Sequence, residues 1–214
     1  MPTRIKICGL TRASDVDAAV GLGVDAIGLV FYRPSLRYLA PTDAKRLIEL
    51  LPPFVNAVGL FVNAASQTID EVLKSAPLSM LQFHGEEKAA ECTRWSLPWI
   101  KAARITPTFN LVQYAENYAA AGARALLLDA HVEGYGGKGR SFDWSQVPER
   151  LPLPVVLAGG LDAENVGEAI GRVRPAAVDV SSGVETSAGI KDADKMRAFV
   201  DAVKSADANT QARL

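Results

Sequence analysis

The chain has 214 residues, of which 49% are hydrophobic and 22% are charged, a composition typical of a globular domain with a substantial core. Its 23 basic residues are offset by 24 acidic ones, so the formal net charge is -1. This balance argues against a general nucleic-acid-binding protein, because such binding depends on Lys and Arg side chains that neutralise phosphates.

Neither a membrane anchor nor an export signal is expected. No apolar run approaches the roughly 18 residues that span a bilayer, and the first residues lack the apolar segment of a signal peptide. The two cysteines, Cys8 and Cys92, are too few for a disulfide framework. We therefore expect reduced thiols and a cytoplasmic location.

Short apolar runs, often rich in β-branched residues, recur along almost the whole chain. Such runs are typical of parallel strands that are buried on both faces. Successive runs begin about 20 to 30 residues apart, which suits one strand, one helix and the return. The predicted strands are 4–8, 26–31, 57–62, 78–83, 99–103, 125–129, 155–158 and 177–180.

Between these strands, apolar residues recur at i, i+3, i+4 and i+7, which predicts helices with one apolar stripe facing a sheet. We expect helices to begin near Thr11, Ser66 and Asp162, whose side chains can cap a helix, and a further helix around Ala89 and Cys92. The stripes comprise Ala44, Leu47, Ile48 and Leu51; Ile69, Val72, Leu73 and Ala76; Leu111, Tyr114, Ala115 and Tyr118; Val166, Ala169, Ile170 and Val173; and Met196, Phe199, Val200 and Val203.

The alternation of strands and helices predicts the α/β class and a closed (βα)8, or TIM, barrel. An open doubly wound sheet is the alternative, but it needs a topological switch point that the sequence does not reveal. No long linker or change of composition divides the chain. We predict one barrel domain over residues 1–205 and a polar C-terminal tail over residues 206–214.

In such barrels the chemistry takes place at the carboxyl ends of the strands, where several polar residues of this chain fall. Cys8 ends the first predicted strand, Asp129 ends the sixth and His84 follows the fourth. A free cysteine is commonly a small buried hydrophobe, but this placement favours a base. Asp129 is either an ion-paired or capping group or a catalytic acid. His84 is either a core histidine or, as its place at the rim favours, a ligand contact, and Cys92 is assigned to the core.

Two glycine- and serine-containing turns follow the last two strands. They are Gly159-Gly160 after the seventh strand and Ser181-Ser182-Gly183 after the eighth. Either turn alone is explained by the positive φ that glycine tolerates. Both together match the loops with which barrels frequently bind phosphate through backbone N–H groups. The sequence therefore predicts a phosphate site there.

A third glycine-rich stretch, at 134–139, is interpreted either as a mobile loop over the site or as a connection without a function. It lacks the spacing and the strand-then-helix context of a P-loop, which excludes nucleotide binding. No metal site is predicted, because the only histidine besides His84 is His131 and no carboxylate cluster has ligand spacing.

Taken in order, these residues resemble the phosphoribosylanthranilate isomerase family over essentially the full length of the chain. Each stretch is unremarkable alone, and their order along the predicted strands makes the resemblance specific. Examples are KICGLT at 6–11, LQFHG at 81–85 and DVSSGVE at 179–185. The remaining stretches are 31–38, 127–129, 142–144 and 158–161.

The resemblance implies the Amadori rearrangement of N-(5-phosphoribosyl)anthranilate to 1-(2-carboxyphenylamino)-1-deoxyribulose 5-phosphate, in L-tryptophan biosynthesis. It implies that Asp129 protonates the ring oxygen and that Cys8 removes the C2 proton. Arg37 matches the residue that holds the anthranilate carboxylate, while His84 and Asp179 match further substrate contacts. No metal or organic cofactor is implied, because the iminium intermediate is itself an electron sink. The partner is then a small phosphorylated ribosylamine, and the chain is a monomer or a homodimer.

One departure and three alternatives accompany this interpretation. Lys138 occupies a loop position at which the family often carries a small hydroxyl residue. The histidine-pathway isomerase performs the same rearrangement but has an aspartate where Cys8 stands and binds a substrate with two phosphates. Indole-glycerol-phosphate synthase requires a rim lysine, for which only Lys101 is a candidate. A non-catalytic phosphosugar-binding barrel would keep the glycine and serine turns alone.

Overall fold

A computed structural model describes residues 2–106, 108–130 and 143–211. Eight parallel strands close into a barrel in sequence order, with β8 pairing β1. The predicted (βα)8 barrel is therefore confirmed. The strands are β1 Arg4–Cys8, β2 Ala26–Val30, β3 Asn56–Phe61, β4 Met80–Phe83, β5 Trp99–Ile105, β6 Leu126–Ala130, β7 Val155–Leu157 and β8 Ala177–Val180.

The strand boundaries agree with the sequence to within two residues, and two differences affect the site. β6 continues to Ala130, so Asp129 is the penultimate residue of its strand and keeps the alternation of the strand. β7 stops at Leu157, which leaves Ala158 in the turn before Gly159. Apolar character alone does not fix a strand end, because the last hydrogen bonds depend on the neighbouring strand.

Seven α-helices lie in the described ranges, together with two single 3₁₀ turns. One of these turns, Trp144–Gln146, lies between β6 and β7, and the second, Ser182–Val184, follows β8. The helices are α1 Ala13–Gly21, α2 Pro41–Ile48, α3 Ser66–Ser75, α4 Ala89–Cys92, α5 Leu111–Ala120, α6 Val166–Val173 and α7 Ala193–Gln211. Among these described residues, no helix is both long enough and apolar enough to cross a membrane.

The predicted helix starts are only partly correct. α1 begins after Arg12 without a side-chain cap, and the hydroxyl of Thr11 instead donates to the Gly189 carbonyl at 2.6 Å. Ser66 is the first residue of α3 rather than its cap. Asp162 accepts from the amides of a turn that precedes α6. Capping residues also stabilise turns, so the residue type alone does not locate the helix.

The chain beyond β8 contains two features that the sequence did not predict. Strands β9 Glu185–Ser187 and β10 Ile190–Lys191 form a small antiparallel hairpin. α7 passes the expected boundary at residue 205 and continues to Gln211. Residues 206–211 are thus helical, and Asp207 accepts hydrogen bonds from the amide and hydroxyl of Thr3 at 2.7 Å.

The alternation of side chains along each strand separates two layers. Ile5 and Ile7 of β1 belong to the large apolar core between barrel and helices, so Lys6 and Cys8 face the barrel interior. The same parity directs Asp129 and Asp179 inward. Large apolar side chains cover the outside of the strands, which reserves the interior at the carboxyl end for polar groups.

Gly28 of β2 is required by the inward-facing thiol. It pairs with Cys8 across the β1–β2 ladder, and a Cβ at this position would lie 2.5 Å from the Cys8 sulfur and 3.0 Å from its Cα. The backbone cannot retreat from the neighbouring strand, so the space is available only to glycine.

Gly28→Ala is expected to lower the free energy of unfolding by about 1–3 kcal/mol, because the added methyl overpacks the barrel interior. Urea unfolding followed by tryptophan fluorescence measures the change. Gly21→Ala is the matched control, since nothing lies within 4 Å of a Cβ built at the end of α1; it should be neutral or stabilise by up to about 1 kcal/mol. An unchanged midpoint for Gly28→Ala would contradict this packing.

Candidate active site

A pocket opens at the carboxyl ends of the barrel strands, where the sequence placed the chemistry. Most of the predicted site residues line it together. Gly159 and Gly183 are the exceptions, since they belong to the two turns but do not line the pocket. The predicted residues that line the pocket are Cys8, Arg37, His84, Asp129, Gly160, Asp179, Ser181 and Ser182.

Cys8 occupies one wall of the pocket, at the end of β1. Its thiol is buried, and the Lys6 ammonium beneath it forms an ion pair with Asp179 in which Nζ lies 2.8 Å from Oδ2. Burial raises the pKa of the Cys8 thiol above its ordinary value; the positive charges of Lys6 and Lys191 oppose this rise, and the Asp179 carboxylate adds to it.

Asp129 approaches the same pocket from β6, at the end of a line of three polar side chains. Gln82 Nε2 lies 2.9 Å from His84 Nδ1, and His84 Nε2 lies 3.1 Å from Asp129 Oδ2. An amide NH₂ group donates, so Nδ1 accepts in this arrangement and the neutral ring carries its proton on Nε2, facing Asp129. The His84 amide also donates to the Phe61 carbonyl at 2.8 Å, which fixes the backbone that carries the ring.

The two predicted phosphate turns stand side by side. Gly159 and Gly160 have φ angles of 80° and 67°, which favour glycine, and Asn165 Nδ2 donates to the Gly160 carbonyl at 2.8 Å. A Cβ at Gly183 would collide with the Leu161 carbonyl. The close approach of these turns therefore depends on small residues, and it places Gly160 and Ser182 on the same side of the pocket.

The guanidinium of Arg37 is fixed in place by Glu185. Its Nε and Nη2 donate to the two carboxylate oxygens of Glu185 at 2.8 and 2.6 Å, a bidentate pair that is almost buried. One edge of the guanidinium is thus already occupied, and Nη1 lies outside this pair. The family resemblance implied that Arg37 holds a substrate carboxylate, but it did not identify Glu185, the protein carboxylate that orients it.

Lys191 of the β9–β10 hairpin links these groups. Its ammonium, which is fully buried, donates to the Cys8 carbonyl at 2.6 Å, the Ser181 carbonyl at 3.1 Å and Glu185 Oε1 at 2.7 Å. One cation therefore joins the end of β1, the end of β8 and the Arg37–Glu185 pair. Burial lowers the pKa of Lys191, an effect that the Glu185 carboxylate opposes.

The residues that sequence reasoning missed are Lys6, Gln82, Glu185 and Lys191. For Lys6 and Gln82 the signal was available, because each lies two residues before a predicted site residue and hence on the same face of its strand. Lys191 is distant in sequence from every residue that it contacts, and no pattern within the chain points to it.

Two further residues lie in the layer outside the barrel. Lys101 is fully buried there, donating to the Gly85 carbonyl at 2.7 Å and pairing with Glu87 at 3.2 Å, so it is not the rim lysine of a synthase. Cys92 is a core residue as expected, and burial raises the pKa of its thiol to about 12. The glycine-rich stretch 134–139, with Lys138, lies outside the described residues.

Lys191→Met is expected to lower the free energy of unfolding by about 3–5 kcal/mol, because it removes one member of a buried ionic network. Lys204→Met is the control, since this exposed side chain of α7 donates to the Leu22 carbonyl at 3.3 Å and takes no part in the buried network; it should change stability by less than about 0.5 kcal/mol. Urea unfolding of both variants measures the difference; equal midpoints would show that the network contributes nothing.

Comparison with known proteins identifies the family. The family model described as N-(5'phosphoribosyl)anthranilate (PRA) isomerase matches residues 5–202. An N-(5'-phosphoribosyl)anthranilate isomerase of Dechloromonas aromatica is 56% identical over 207 residues, which cover 97% of this chain and 99% of the relative.

Solved structures agree. Phosphoribosyl anthranilate isomerase from Thermotoga maritima is 41% identical, with a TM-score of 0.86 over 95% of this chain and 99% of that one. A phosphoribosyl anthranilate isomerase in complex with reduced 1-(o-carboxyphenylamino)-1-deoxyribulose 5-phosphate is 40% identical, with a TM-score of 0.82 and the same coverage. The barrel, the pocket and these similarities together show that the chain belongs to the N-(5'-phosphoribosyl)anthranilate isomerase family.

Proposed function

We propose that Cys8 is the base and Asp129 the acid of the family's reaction in this pocket. That reaction is the Amadori rearrangement of N-(5-phosphoribosyl)anthranilate to 1-(2-carboxyphenylamino)-1-deoxyribulose 5-phosphate, an aldose–ketose isomerisation of L-tryptophan biosynthesis. The observation that carries the assignment is that a thiol from β1 and a carboxyl from β6 line one pocket, together with Gly160, Ser181 and Ser182 of the two turns.

The first step opens the sugar. Asp129 gives a proton to the ring oxygen, the bond between that oxygen and C1 breaks, and the lone pair of the anthranilate nitrogen forms the C1=N bond of an iminium. The hydrogen bond from His84 Nε2 to Asp129 Oδ2 strengthens as the carboxylate forms, because a charged acceptor binds a donor more tightly. His84 therefore stabilises the charge that this step leaves on the protein.

The second step moves the double bond. The Cys8 sulfur, as thiolate, takes the proton from C2, and the C2–H electron pair forms a C1=C2 bond while the iminium nitrogen regains its lone pair. The resulting enolamine loses the proton of its 2-hydroxyl and gains one at C1, which gives the aminoketone with no net change in atoms or electrons. Positioned acids and bases typically contribute about 10²–10⁴ each to the rate.

Three contacts would hold the substrate across these steps. The backbone amides of the turns at 159–160 and 181–183 bind the phosphate, since convergent N–H groups form an anion site. Arg37, oriented by Glu185, offers its remaining N–H groups to the anthranilate carboxylate. Asp179 lines the same pocket and is the further residue that we expect to contact the substrate.

Location and assembly follow more general arguments. We place the protein in the cytoplasm, because Cys8 and Cys92 are both buried and unpaired and thiols persist in a reducing compartment. Its partner is the small phosphorylated ribosylamine, and the nearly neutral charge balance supports no role in binding nucleic acid. A monomer or a homodimer is compatible with the barrel.

Cys8→Ala and Asp129→Asn are each expected to lower kcat by about 10²–10⁴, because each removes a proton-transfer group without changing the phosphate turns. The assay follows the loss of anthranilate-type fluorescence from freshly generated substrate. Both variants should still bind the reduced product analogue, measured by fluorescence titration.

Cys92→Ala is the matched control, because it removes a thiol from the core and should leave kcat unchanged. Turnover within ten-fold of the parent in both Cys8→Ala and Asp129→Asn would refute the assignment of base and acid.

A further inference from the structure

Beneath the Cys8 thiol lies a buried charged residue that the mechanism above does not use. Lys6 is 5% exposed, faces the barrel interior and pairs in register with Asp179 of the neighbouring strand β8. Its ammonium lies 2.8 Å from Asp179 Oδ2. Burying two charges costs free energy that their mutual attraction only partly offsets, and this pair lies directly below the pocket that Cys8 and Asp179 line.

Lys6 and Cys8 are neighbours on one face of β1. They lie two positions apart, with Ile7 between them, so both side chains project into the barrel, and the charge of Lys6 opposes the rise that burial causes in the pKa of the Cys8 thiol. Within the part of the chain that the structure describes, the second Asp179 oxygen, Oδ1, is buried without a hydrogen-bond partner. The Lys6 ammonium thus has two possible hydrogen-bond acceptors, the Asp179 carboxylate and the Cys8 sulfur.

The other charged groups around Cys8 form hydrogen bonds or ion pairs with other partners. Lys191 directs its three N–H donors to two backbone carbonyls and Glu185, and Arg37 is bidentate on Glu185. Asp129, with His84, approaches from β6. A lysine has three donors, and the Asp179 Oδ2 contact uses one of those of Lys6.

We propose that Lys6 is a positioning residue for the base: its ammonium is the counter-ion of the Cys8 thiolate, and Asp179 competes with the thiolate for it. When Cys8 is neutral, Lys6 and Asp179 balance each other. When Cys8 ionises, one ammonium serves two anions. The ion pair therefore sets the fraction of Cys8 that is ionised: Lys6 increases this fraction and Asp179 decreases it.

This inference rests on the proposed function for its catalytic meaning, since a counter-ion matters to turnover only where Cys8 is the base. The effect of the two charges on the pKa of Cys8 does not depend on catalysis. Removing the Lys6 charge should raise the pKa of the Cys8 thiol, because a buried thiolate then loses its compensating charge. Removing the Asp179 charge should lower it, because the full ammonium becomes available to sulfur.

The test measures the rate of Cys8 alkylation by iodoacetamide as a function of pH, with the adduct located by peptide mass spectrometry. Cys92 does not interfere, since its thiol has a pKa of about 12. Lys6→Met should slow alkylation at neutral pH by about ten-fold or more, one pKa unit being a factor of ten. Asp179→Asn should accelerate it. The ultraviolet absorbance of the thiolate, taken as the difference from the same chain with Cys8→Ala, gives a second measurement that needs no reagent to enter the pocket.

Arg4→Met is the matched control. Arg4 is a cation on the same strand and of the same parity, but it is largely exposed and pairs with Asp25 at 2.6 Å, so its loss should leave the alkylation profile unchanged. A merely structural role for the Lys6–Asp179 pair predicts that both of its variants shift the profile in the same direction, through loosening of the barrel.

Opposite shifts support the proposal. An unchanged profile for Lys6→Met, or shifts of the same sign in the two variants, overturns it. If Lys6→Met does not fold, Asp179→Asn alone decides, because slower or unchanged alkylation in that variant contradicts competition for the ammonium. Failure of the proposed function would be seen separately, as turnover that survives Cys8→Ala.

Discussion

The closure of the barrel between β1 and β8 is the constraint on which the site depends. Cys8 and Lys6 come from the first strand, and Asp179 and Ser181 from the last strand and its turn, so residues at opposite ends of the chain meet only when this ladder forms. Two buried ammonium groups reinforce the junction: Lys6 bridges the strands inside the barrel, and Lys191 bridges their carboxyl ends. Charges cost free energy to bury, and here they are buried next to Cys8, the proposed base.

The parity of the strands explains how a stable core and a polar pocket coexist. Outward side chains of β1, β6 and β8 pack against the helices and supply apolar burial, which leaves the inward positions at the carboxyl ends free for chemistry. The lower barrel interior is apolar, with Ile100, Leu127 and Val156 among its members. Along each of these strands, the outward residues stabilise the core and the inward residues near the carboxyl end line the pocket.

The charges of the pocket are organised in two opposing groups. On one side, Arg37, Glu185 and Lys191 form a network with one net positive charge, which suits an anionic substrate. Across the barrel, Asp129 is held by His84, whose ring is oriented by Gln82. Because Arg37 and Asp129 each have a second residue that fixes the direction of the side chain, less of the free energy of binding a substrate would be spent on ordering these side chains.

The sequence by itself determined the barrel, because the period of apolar runs and stripes is a local property that each segment carries alone. It also determined Cys8, Asp129 and the glycine and serine turns as candidates, since the ends of parallel strands converge in any such fold, and the resemblance assigned their chemistry. Only the tertiary structure decided that Glu185 orients Arg37, that Lys191 joins three segments and that Lys6 pairs with Asp179. These contacts depend on the closure of the barrel and on side-chain direction across sequence separations of up to 183 residues, which no pattern within one segment encodes.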